Sequence, residues 1–117
     1  MKIYNYMSKE TEKLKLDINK LYDQVDSCIN MVRIRDEFHM NKIKRIIKQQ
    51  DPIKLYNELE KFISLNDRLN EFQFILINNI VTDLNIIIKN TNELNKLLDN
   101  KENIINDCKP FINPYSK

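Results

Sequence analysis

Glycine and tryptophan are absent from the 117 residues, and proline occurs only at 52, 110 and 114. Without glycine no residue enters positive φ free of a Cβ clash, which disfavours tight hairpins, bulges and most compact β topologies. The same absence excludes a glycine-rich phosphate cradle or dinucleotide fingerprint. Residues 9–50 and 53–109 contain neither breaker and form two very long helix-permissive runs. The single histidine, His39, sits between Phe38 and Met40, with no cysteine or carboxylate at metal-ligand spacing. No catalytic, cofactor-binding or metal-binding residue is expected. The two cysteines, Cys28 and Cys108, each fall within an apolar helical pattern and read as reduced core thiols of a cytosolic protein. Met1–Met7 lacks an apolar core of signal-peptide length. The greasiest stretch, Phe72–Ile88, is interrupted by Asp83 and asparagines well before the roughly 18 unbroken apolar residues of a span. The expected location is cytoplasmic, with any attachment to membranes peripheral and through partners.

What is present suits a folded helical protein: 42% hydrophobic and 31% charged residues, with a net charge of +2. That charge is too mild for a nucleic-acid partner. Residues 1–50 carry eleven Lys/Arg against seven Asp/Glu, and 51–117 carry eight against ten. The one basic cluster is Arg33, Arg35, Lys42, Lys44, Arg45 and Lys48, interrupted by Asp36 and Glu37. It reads as a solvated helix face, with acidic lipid headgroups as its alternative ligand.

Periodicity sets the expected architecture. Ser8 is a candidate N-cap, with Glu10 and Glu12 favourably placed in the first turn. From there Leu14, Ile18, Leu21, Val25, Cys28 and Val32 recur in steps of four and three. Beyond Val32 the stripe slips to Ile34, Phe38, Ile43, Ile46 and Ile47. Asp51-Pro52 is the clearest boundary, since proline disfavours helix in the residue before it and suits the first turn of a new one, with Asp51 as cap. A second heptad register then runs from Leu55 to Cys108, with polar entries at Asn66, Gln73 and Asn90 that either fix register or face solvent. The expected fold is all-α, with two long amphipathic coiled-coil helices at about 9–50 and 52–108. A flexible 1–8 precedes the helical domain 9–109, and a short extended tail, 110–117, follows it. At about 1.5 Å per residue such helices are on the order of 60 and 85 Å long, as a hairpin or a kinked rod. One chain would leave a long apolar stripe uncovered. Leu21, Val25, Val32, Leu69, Leu76, Ile80, Ile87 and Leu94 are therefore the expected partner-binding seam, with Phe72–Ile88 at its centre.

The run Gln24-Val25-Asp26-Ser27-Cys28-Ile29-Asn30-Met31-Val32-Arg33 resembles the amino-terminal helix of the snapin family of SNARE-associated proteins. Gln24, Asp26, Ser27, Val32 and Arg33 fall at matching spacing. Ile75–Val81 is similar to that family's aliphatic run around an Asn-Asn pair, here Asn78-Asn79. The likeness is collinear over about 24–117. Two departures are Ile34-Arg35-Asp36, where the family has a Ser-Gln pair, and Asn70-Glu71-Phe72, where it has arginines. The resemblance implies a noncatalytic subunit of the biogenesis of lysosome-related organelles complex 1 and of the related lysosome-positioning complex. The partners it implies are other helical trafficking subunits and SNARE proteins, on endosomal or lysosomal membranes. Two alternatives stay open: a coiled-coil subunit of another assembly, such as a kinetochore or transcription-mediator module, and a peripheral membrane-binding helix acting through the basic cluster.

Overall fold

The computed structural model of the chain describes residues 2–66 and 68–115, with side chains from Lys9 onward. Among the described residues there are four α-helices and no strand: α1 Lys2–Val32, α2 Glu37–Gln49, α3 Pro52–Leu65 and α4 Glu71–Leu97. A 3-10 turn at Lys101–Asn103 and an extended arm follow. The all-α expectation holds, but the two long helices do not: each is broken once more, and the second stops at Leu97 rather than near 108.

The extra breaks have local causes. Arg33, at φ 60°, turns the chain out of α1, and Ile34 folds back into the core. Asp36 then caps α2 by accepting a hydrogen bond from the His39 N–H at 3.1 Å. The slip of the apolar stripe after Val32 is thus a change of helix. At the predicted boundary Asp51 caps α3, accepting from the Lys54 N–H at 3.0 Å, with Pro52 in the first turn. Asn66 ends α3, its amide donating to the Phe62 carbonyl at 3.0 Å. Asn70 and Gln73 form a reciprocal capping box on α4, at 2.8 and 2.9 Å. Asn66 and Gln73 are therefore terminators and caps rather than polar entries in a continuous seam. Ser8 lies inside α1, which begins at Lys2, and so is not its cap. Lacking glycine, the chain ends three of its turns with Arg33, Gln50 and Asp99 in the left-handed region, each at a cost of about 1 kcal/mol.

Side-chain contacts fix the topology. Lys44 pairs with Asp26 at 2.8 Å and Gln50 with Asn19 at 2.6 Å, so α2 runs antiparallel to α1. His39 and Lys42 reach Glu58, at 3.1 and 3.4 Å, and tie α2 to α3. Gln73 donates to the Val32 carbonyl at 3.0 Å and Cys28 to the Leu76 carbonyl at 3.4 Å, setting α4 antiparallel to α1. The result is an up-down-up-down bundle of 57 × 29 × 21 Å. Its long axis is shorter than either expected rod.

Folding back covers the apolar stripe. Val25, Val32, Leu69, Leu76, Ile80 and Ile87 are buried in one core with Ile29, Ile43, Leu55, Leu59, Ile77 and Leu84, and Leu21 and Leu94 pack against it. The expected partner-binding seam is this chain's own core. The single heptad register of the sequence crosses a break: α3 and α4 are separate helices, and their apolar faces meet in that core. α4 is long and apolar enough in composition to cross a membrane, yet Phe74, Leu76, Ile77, Ile80, Val81, Leu84, Ile87 and Ile88 are buried within the bundle.

Candidate interaction site

Three asparagines of α4, Asn78, Asn85 and Asn92, recur every seven residues and lie on one flank of that helix, just outside the core stripe. Each grips the backbone of one residue of the extended arm with both ends of its amide. Asn92 donates to the Ile105 carbonyl at 2.9 Å and accepts from the Ile105 N–H at 2.8 Å. Asn85 does the same with Cys108, at 2.9 and 2.7 Å, and Asn78 with Phe111, at 3.2 and 2.8 Å. At the hinge end Asn95 adds one donated bond to the Asn103 carbonyl at 3.0 Å.

The register is a matter of pitch. Seven residues of helix rise about 10.5 Å, and three residues of extended chain span about 10 Å. An asparagine every heptad therefore meets a peptide unit every third arm residue. The paired donor and acceptor reproduce what one strand offers its neighbour in a hydrogen-bonded antiparallel pair, so a helix flank serves as a strand edge. This satisfies arm backbone groups that would otherwise be buried without partners.

The α3 side supplies the second wall. The Tyr56 hydroxyl donates to the Lys109 carbonyl at 2.7 Å, and its ring stacks on Phe111 with centroids 4.8 Å apart. Cys108 is buried against Val81 and Ile88, with Ile105, Phe111 and Tyr56 around that small cluster. Near the end of the arm, the Tyr115 hydroxyl donates to the Leu69 carbonyl at 2.8 Å, and its ring meets Phe74 edge-on. Burial raises the Cys108 thiol above its ordinary pKa, with Asp107 adding to the effect. Burial likewise raises the Tyr56 phenol, followed by the charges of Cys108 and Glu60. Both groups stay protonated at neutral pH while the arm is docked.

No protein-family model, curated protein or solved structure matches this chain. The residues that carry the snapin resemblance are scattered by the fold. Gln24 and Ser27 are exposed, Asp26 pairs with Lys44, Val32 is buried, and Arg33 is the left-handed end of α1. The Asn78-Asn79 pair is split: Asn78 holds the arm, and Asn79 faces outward. Asn79 lies on an outer stripe of α4 that also carries Phe72, Ile75 and Ile86, which are 57%, 45% and 44% exposed.

Elsewhere, His39 is not solitary. Its Nε2 lies 3.1 Å from the buried Glu58, which also meets Lys42 at 3.4 Å and Lys61 at 3.9 Å, and its ring packs edge-on to Phe62. Glu58 comes from another helix, which is why local spacing did not reveal it. Of the basic cluster, Lys42 and Lys44 are engaged by Glu58 and Asp26 within the bundle. Among the described residues no group of three or more His, Cys, Asp or Glu is placed to hold a metal ion. The asparagine ladder escaped the sequence reading although its period was visible there: the asparagines at 78, 85 and 92 share a heptad, but nothing local says what they bind.

Proposed function

We propose that this protein is a noncatalytic helical interaction subunit, docked to partner helices through the outer stripe of α4. The observation that carries the reading is that stripe: Phe72, Ile75 and Ile86 stay exposed at helical spacing on a helix whose opposite face is fully covered. It is the apolar part of Phe72–Ile88 that lies outside the chain's own core. The snapin resemblance adds the setting: an assembly in endosomal and lysosome-related organelle trafficking and lysosome positioning, with SNARE proteins among the partners. Asn79, half of the Asn-Asn pair in that resemblance, lies on the stripe.

The test is affinity capture with the full chain and with Ile75→Glu. Ile75 is exposed, so the variant keeps its fold, checked by circular dichroism. Trafficking subunits retained by the unmodified chain and lost by Ile75→Glu are the expected result. Recovery of kinetochore or transcription subunits instead, or retention unaffected by Ile75→Glu, overturns the proposal.

A further inference from the structure

The asparagine ladder recognises backbone. Its six bonds to Ile105, Cys108 and Phe111 engage only N–H and C=O groups, which any non-proline residue offers. Sequence preference comes from two side-chain contacts and from where proline is tolerated. The residue at the Cys108 position must be small and apolar to fit against Val81 and Ile88. The residue at the Phe111 position must be aromatic to stack on Tyr56. Proline is excluded at 105, 108 and 111, where the N–H is used, and is accepted at 110, where it occurs and favours an extended residue before it. The groove thus reads an extended segment of the pattern apolar, two free residues, small apolar, two free residues of which the second can be proline, aromatic.

We infer that the α3–α4 groove is a receptor for an extended segment of that pattern on a partner protein, and that the arm is its tethered, displaceable occupant. The arm leaves α4 through a reversal at Leu98–Asn103. None of its residues is among the buried members of the main core, against which Phe111 packs, so releasing the arm leaves that core intact. A tethered occupant raises the apparent Kd of any competitor by the reciprocal of the fraction of chains with the groove open. The arm therefore sets the threshold above which a partner segment enters. This surface is separate from the outer stripe of α4, and the two readings stand or fall independently.

The probe is a fluorescently labelled peptide of residues 103–115 under reducing conditions, titrated onto the full chain and followed by anisotropy. In the full chain, Cys108→Asp weakens the arm's own docking by placing a charge against Val81 and Ile88. The peptide is expected to bind this variant at least about tenfold more tightly than the unmodified chain. Adding Asn85→Ala to the variant is expected to weaken binding about 30-fold, whereas adding Asn79→Ala, on the outward face of the same helix, leaves it unchanged. A peptide carrying Cys108→Pro is expected not to bind, because the N–H read by Asn85 is gone. Circular dichroism confirms that each variant is helical. Failure of the peptide to bind the Cys108→Asp chain, or binding indifferent to Asn85→Ala, overturns the inference. A dimer of the unmodified chain whose population falls with Asn85→Ala overturns it too, since the groove would then serve arm exchange between copies.

Discussion

Replacing Asn85 with alanine removes the central rung of the ladder. Both of its bonds to Cys108 are lost, at 2.7 and 2.9 Å. Each contributes about 1 kcal/mol net, so arm docking weakens by about 2 kcal/mol. That corresponds to a rise of about 30-fold in the fraction of chains with the arm released. Cys108 supplies the readout. It is 7% exposed when docked and its thiol is held protonated by burial, so alkylation proceeds through the released state. In a Cys28→Ser background the modification rate should rise about 30-fold on Asn85→Ala. Arm release exposes little surface, so the rate should respond weakly to low urea, whereas global unfolding gives a steep dependence. A rate that changes less than about threefold would show that the two bonds are worth no more than their exchange with water. A rate that tracks global unfolding in urea would show that the arm is an integral part of the bundle.

Three further outcomes are expected. Ile80 is fully buried, so Ile80→Asp places a carboxylate in the core and costs several kcal/mol, enough to unfold a domain of this size, as urea denaturation followed by circular dichroism will show. Burial raises the Asp83 carboxyl above its ordinary value of 3.8, so the folded state holds its proton more tightly and is destabilised as pH rises through the raised value. Asp83→Asn should accordingly raise the urea midpoint at pH 7, with a gain that shrinks on acidification and is gone below about 3.8. A gain that persists at lower pH would refute that origin. Arg33→Gly relieves left-handed strain at the end of α1 and should stabilise the fold by about 1 kcal/mol, measured as a higher thermal midpoint; no change would mean that the φ of 60° costs nothing there.

Several turn signals were legible in sequence. Asp51-Pro52 was read correctly because cap and proline act through their immediate neighbours. The capping box Asn70-x-x-Gln73 is equally local, but Leu69, Gln73 and Leu76 also continue the heptad spacing through it, which masks the break. The cap at Asp36 is masked in a similar way, because it lies inside a run of charges that has the pattern of one solvated face.

What the sequence determined by itself is the class of structure and the identity of the apolar faces. Zero glycine and helical periodicity leave only helices, and Val25, Val32, Leu76, Ile80 and Ile87 are buried in the folded chain, whatever covers them. What covers them was decided by tertiary structure. Periodicity records that a face must be buried but not whether the cover lies in the same chain, and two additional breaks, at 33–36 and 66–70, bring the helices to lengths that pack on one another. The arm follows the same logic. The residues 98–109 carry no breaker, and a helix through them would violate no local rule. They are instead a turn and an extended strap because Asn78, Asn85 and Asn92, thirteen to thirty-three residues away in sequence, offer their backbone the bonds a helix would have supplied, while Val81 and Ile88 gain their cover.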